Sequence, residues 1–137
     1  AKEGVVIAHV NANNNKGVIV RLSCETDFVS KNQSFVDLGK NLAMQVAAMR
    51  PVAVNKDGVD ATTIKREIEI GMEQARQAGK PEAMLEKIAQ GKLNKFFREN
   101  TLLSQTYVKD GKASVEQYLK GVDPNLTVTD FRHVELG

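Results

Sequence analysis

The chain opens on a short β-branched run, Gly4-Val5-Val6-Ile7-Ala8-His9-Val10, which predicts a strand. A polar, Asn-rich cluster from Asn11 to Gly17 follows, and Asn and Gly are the residues that tolerate the positive φ of a hairpin turn. Residues 18 to 24 read as the return strand. Val18, Val20, Leu22 and Cys24 share one face; Ile19, Arg21 and Ser23 share the other, wetter face.

After Thr26 the apolar period lengthens. Phe35, Leu38, Leu42, Val46 and Met49 fall three or four apart, predicting a helix with one apolar stripe, broadened by Ala43, Ala47 and Ala48. Asn32 or Ser34 suits its N-cap, and Pro51 ends it. Val52 to Gly58 reads as extended chain or loop. A second helix is expected from about Thr62 to Ala78, with a thin stripe of Ile64, Ile68, Met72 and Ala75, stopped by Gly79 and Pro81. Pro81 suits the first turn of a third helix, whose buried side is expected to be Met84, Leu85, Ile88, Leu93, Phe96 and Phe97, with Gly91 kinking or splitting it. Leu102 to Val108 is a bridging strand or loop, Ser114 to Leu119 a short helix, and Asn125 to Leu136 a last strand. Two strands, several helices and one strand make an α+β layer fold: a small antiparallel three-stranded sheet with helices on one face.

Composition narrows the classes. The 137 residues are 42% hydrophobic with no Trp, five Phe and two Tyr, so the core is aliphatic and Ala-rich, and a disordered chain or disulfide scaffold is excluded. Nineteen basic against seventeen acidic residues leave a net charge of +2, short of the basic excess of a dedicated nucleic-acid binder. One cysteine, Cys24, allows no internal disulfide and suits a reducing compartment. No apolar run is long enough for a membrane-spanning helix.

Enzyme signatures are missing from the sequence. There is no phosphate loop and no Gly-x-Gly-x-x-Gly. His9 and His133 both fall in expected strands and could meet across the sheet, but two His without a placed carboxylate make a poor metal site. Cys24 has no adjacent base and reads as a small buried filler. No metal, cofactor or catalytic group is expected.

One segment resists a purely structural reading: Cys24-Glu25-Thr26-Asp27-Phe28-Val29-Ser30-Lys31-Asn32, at a strand-to-helix corner. Thr26 and Asp27 suit the start of a helical turn. Phe28, a large ring beside an acid, either folds inward as a staple or stands out as an anchor for a partner.

This segment resembles the signature of the elongation factor Ts family, the guanine-nucleotide exchange factors of bacterial-type translation. The likeness runs through Glu3-Gly4-Val5-Val6, Gly17-Val18-Ile19-Val20, the stretch from Asn41 to Pro51, Gly79-Lys80-Pro81, the stretches from Glu86 to Phe96 and Leu102 to Asp110, and the closing Phe131-Arg132-His133-Val134-Glu135-Leu136-Gly137. The family usually has Glu at Arg21 and Asn or a similar residue at Ser23. Its members usually begin with a three-helix module that has no counterpart here, so the resemblance implies a single core domain over residues 1–137, with residues 57–79 as a helical arm or linker.

The resemblance further implies a non-enzymatic exchange factor that binds the GTP-binding domain of elongation factor Tu. Phe28 is then a wedge near the partner's Mg²⁺ and phosphate site, Asp27 its polar neighbour, and Thr26 and Val29 the residues that shape the corner. It also implies a homodimer, no direct nucleic-acid or membrane contact, and a bacterial cytoplasm or bacterium-derived organelle. Exposed residues of the last strand or of the acidic second helix are expected at the dimer interface. The rival reading is a ribosome- or RNA-binding domain using Lys87, Lys92, Lys95 and Arg98 around Phe96 and Phe97. An enzyme with an unrecognised site is the third.

Overall fold

The computed structural model describes residues 3–25 and 32–136. Strand β1 (Glu3–Val10) turns into β2 (Lys16–Cys24). The turn is held by Asn11, whose side-chain oxygen accepts from Asn15 and Lys16 N–H, both at 3.0 Å, while Asn14 takes the left-handed conformation (φ 57°) that Asn tolerates. Strand β3 (Thr127–Glu135) returns at the end of the chain and pairs with the other side of β2, so the antiparallel order is β1-β2-β3.

Register decides which side chains share a face. Val5, Leu22 and Val128 align across the sheet on the inner face, as do Ile7, Val20 and Phe131. Thr129 is an extra residue in β3, a bulge between the pairs Arg21–Asp130 and Leu22–Val128. His9 and His133 both align with Val18 and flank it, so β2 lies between them. Ser23, expected on the wetter face, is buried because its hydroxyl meets Thr129 Oγ1 at 3.1 Å.

Helix α1 (Gln33–Met49) lies on the inner face against β1 and β2. Asn32 is its N-cap: its Oδ1 accepts from Ser34 N–H at 2.9 Å. Leu42, Ala43 and Val46 are fully buried between helix and sheet. The close approach depends on Gly39, since a Cβ there would fall 2.5 Å from Ile7 Cγ1. Arg50, denied the α region by Pro51, takes the left-handed conformation (φ 47°) and sends its guanidinium to Glu135 at 2.8 Å. Met49 and Ala48 are exposed, correcting the expected stripe: the helix has run past its last apolar neighbour there.

Helix α2 (Ala61–Gln77) starts at an Asp60 cap, and α3 (Leu85–Asn100) follows a short 3-10 turn at Glu82–Met84. They pack on each other as a helical hairpin, with Gly71 of α2 set against Ala89 of α3. Gly91 neither kinks nor splits α3: the helix is continuous and the glycine faces open space. Met84 is exposed rather than buried, because it belongs to the turn ahead of α3. A parallel bridge between Ala53 and Thr101 joins the two ends of the hairpin. A 3-10 turn (Leu102–Ser104) then leads to α4 (Val115–Val122), which opens on a capping box made by Ser114 and Gln117. The architecture is the expected α+β one.

Candidate functional site

The residues singled out in the sequence, Thr26, Asp27, Phe28 and Val29, lie outside the described residues. What the structure gives is their mount. On one side is Cys24, fully buried at the end of the central strand, followed by exposed Glu25. On the other is the Asn32 cap, whose side chain also accepts from the Ser34 hydroxyl at 2.8 Å and whose backbone oxygen accepts from Phe35 N–H at 3.0 Å. Phe35 is buried, and α1 is pressed onto β1 one turn later at Gly39. Both flanks of the signature are therefore anchored in the main core.

A cleft of about 400 Å³ begins at the Asn32 cap and runs between the N-terminal half of α1 and α4. Phe35 and Leu38 line its apolar floor; Asp37, Tyr118 and Val122 stand at its sides. Asn41, also on the cleft, hydrogen-bonds the buried Tyr107 phenol, whose ring lies 4.5 Å from that of Tyr118. Burial, and then the proximity of Tyr118, push the Tyr107 phenol above its ordinary range. A larger cleft, about 630 Å³, lies between β3 and the segment Val52–Asn55.

Other candidate chemistry separates in space. His9 and His133 sit on either side of Val18, and no cluster of three or more His, Cys, Asp or Glu forms among the described residues. Cys24 is buried, as a small filler would be. Of the four bases in the rival reading, Lys92 donates to Gln74 at 2.9 Å and Lys95 lies 3.9 Å from Glu99, both on the exposed surface of the hairpin. On the same hairpin the exposed Arg76 guanidinium is raised above its ordinary range, first by its hydrogen bond to Glu82 and then by Glu73. No helix among the described residues is long and apolar enough to cross a membrane.

Two features were missed in the sequence. Val6, Val10, Ile19 and Val134, with Leu136 just beyond, are exposed apolar residues on the outer face of the sheet, where Arg21 and Arg132 are exposed beside them. The signal was present, since alternation in β1 and β3 puts apolar residues on both faces. Gln45 and Gln105 are buried polar residues, and Gln45 is legible as a polar residue seven positions after Leu38 on the apolar side of α1.

The family model described as Elongation factor TS matches residues 1–137. An elongation factor Ts of Cytophaga hutchinsonii is 49% identical over 96% of this chain and 45% of its own length. One of Oleidesulfovibrio alaskensis is 42% identical over 98% of this chain and 70% of its own. One of Christiangramia forsetii is 35% identical over the whole chain and 80% of its own length. That last alignment is 218 positions long against 137 residues, so the relative carries internal stretches with no counterpart here. The chain spans less than half of the Cytophaga relative.

Proposed function

The chain belongs to the elongation factor Ts family of translation elongation factors, and on that premise we propose that it promotes GDP release from elongation factor Tu through the corner Thr26-Asp27-Phe28-Val29. The observation that carries the proposal is position. The family signature falls where the central strand ends and α1 begins, between two anchored flanks. A side chain presented from such a mount can push on a partner without the push being lost in its own subunit.

The mechanism is linkage rather than covalent chemistry. Phe28 wedges into the partner's GTP-binding domain, with Asp27 as polar neighbour, and displaces groups that hold the partner's Mg²⁺ on the nucleotide phosphates. If the factor weakens nucleotide binding by some coupling free energy, nucleotide weakens factor binding by the same amount, typically ~1–3 kcal/mol per coupling. Burial of one Phe supplies about 1.5–3 kcal/mol, so the ring triggers release while a broader surface supplies the remaining affinity. The cleft between α1 and α4, which begins at the Asn32 cap, is a candidate for that surface. The test is release of fluorescent GDP from elongation factor Tu by native chain and by Phe28→Ala. The variant is expected to remain folded and to release GDP about 10- to 100-fold more slowly. Equal release at equal occupancy of the complex contradicts the role of Phe28, and an unfolded variant supports the inward staple instead.

The proposal includes a homodimer working in a bacterial cytoplasm. Support for the dimer comes from the outer face of the sheet, where Val6, Val10, Ile19 and Val134 stand exposed on three paired strands. Two copies of this face, on which Arg21 and Arg132 are also exposed, suit an isologous contact. Sedimentation should give a dimer that Val134→Asp converts to monomer; a native chain that is monomeric at every concentration overturns this part. The RNA-binding reading is less favoured, because the net charge of +2 falls short of the basic excess of a nucleic-acid binder.

A further inference from the structure

Gln45 and Gln105 are buried where the chain passes from the helical hairpin back to the body. The Gln105 side-chain nitrogen donates to Met49 O at 3.3 Å and to Glu99 O at 3.1 Å. Met49 is the last residue of α1, and Glu99 is one residue short of the end of α3. The Gln105 side-chain oxygen accepts from Gln45 Nε2 at 3.3 Å. Gln45 in turn donates to Thr106 O at 3.0 Å and accepts from Val108 N–H at 3.0 Å. All four amide protons of the pair are used. Reversing the Gln105 amide would turn its oxygen toward two carbonyls, so the network fixes its orientation.

Terminal carbonyls of a helix have no partner within it and must find a donor elsewhere. Here one nitrogen serves two helix ends, and those ends belong to different parts of the molecule: α1 to the body, α3 to the hairpin. Among the described residues, the remaining polar ties at this seam are backbone hydrogen bonds between two passing segments. Val52 N–H donates to Asn100 O at 2.8 Å, Leu102 N–H to Ala53 O at 2.9 Å and Leu103 N–H to Val54 O at 3.0 Å. α2 and α3 otherwise pack chiefly on each other.

We propose that Gln105 is a latch that fixes the pitch of the α2–α3 hairpin relative to the sheet and α1. With the latch closed, the ends of α1 and α3 move as one piece. With the amide removed, the hairpin swings on the segments at 50–55 and 100–104, and the three backbone hydrogen bonds of the seam open with it. The inference does not rest on the exchange reading, and its test needs neither nucleotide nor partner.

The test is amide hydrogen exchange, read residue by residue, on the full chain. In Gln105→Met, which keeps side-chain length but loses the amide, Leu102 and Leu103 should exchange at least about tenfold faster, while Val20 and Leu22 of β2 change by less than about threefold. Gln45→Met leaves both helix ends bonded to Gln105 and should loosen the same two amides markedly less. Uniform acceleration across the chain is the mark of plain destabilisation and overturns the proposal. So does unchanged exchange at Leu102 and Leu103, or equal loosening by the two variants. Should Gln105→Met fail to fold, the native chain in mild denaturant decides. Leu102 and Leu103 opening as a unit before β2 supports the latch; opening only together with β2 overturns it.

Discussion

The body and the hairpin each bring two layers together over a glycine, yet they differ in what stands behind it. In the body, Gly39 lets α1 lie on Ile7, and behind it Val20, Leu22, Leu42 and Val46 are sealed from solvent. In the hairpin, Gly71 meets Ala89, where a Cβ would fall 3.2 Å from Ala89 Cα, and the buried side chains around it are Ala75, Leu85, Ala89 and Leu93. One region has a core three strands and a helix deep; the other has a single seam between two helices. The residues that flank the signature, Cys24 and the Asn32 cap, belong to the deep region. The thin region joins the body at the seam, where Leu102 and Leu103 enter the main core.

That contrast can be broken first at its strongest point. Leu42→Ala empties a site at 0% exposure in the body and should cost about 2–5 kcal/mol, measured by urea denaturation. A loss below ~1 kcal/mol would mean that the body core is not the one that holds the chain. Gly71→Val forces a branched side chain into the hairpin seam and should cost about 1–3 kcal/mol, felt locally. Amides of α2 and α3 should then exchange faster while β2 amides hold; equal acceleration in both regions would erase the distinction. Ser114→Ala removes the capping box of α4 and should cost about 1 kcal/mol, without altering the sheet or the hairpin.

The smallest effect is set by pH. Burial raises the Tyr107 phenol in the folded chain above its unfolded value. Its contribution to stability is therefore complete below about pH 10 and is lost as pH climbs through the raised value. Tyr107→Phe should flatten that part of the alkaline stability profile, and an unchanged slope would show that other groups carry it.

The body was largely legible in the sequence. Alternating β-branched residues in 4–10 and 18–24, the Asn cluster between them and the Asn32 cap each have a local physical cause, and each stands where expected. Errors came where a local pattern outran its partner. Met49 keeps the helical period but sits on the last turn of α1, and Met84 sits ahead of α3. Gly91 carries a helix cost of about 1 kcal/mol against Ala, which is too little to split a helix packed along its other face. Gln105 was illegible because its role is to join the ends of two helices, and nothing local to residue 105 records which chain ends meet there. The candidate site came from family resemblance, and Thr26, Asp27, Phe28 and Val29 lie outside the described residues. By residue type alone, Phe28 beside Asp27 suited an inward staple as well as an outward wedge.

The most direct measurement is the rate of GDP release from elongation factor Tu with the native chain and with a Phe28→Ala chain shown by circular dichroism to keep its helix and strand content. The account predicts release slower by about 10- to 100-fold at equal occupancy of the complex. Release at the native rate, from a folded variant bound to the same extent, would contradict it.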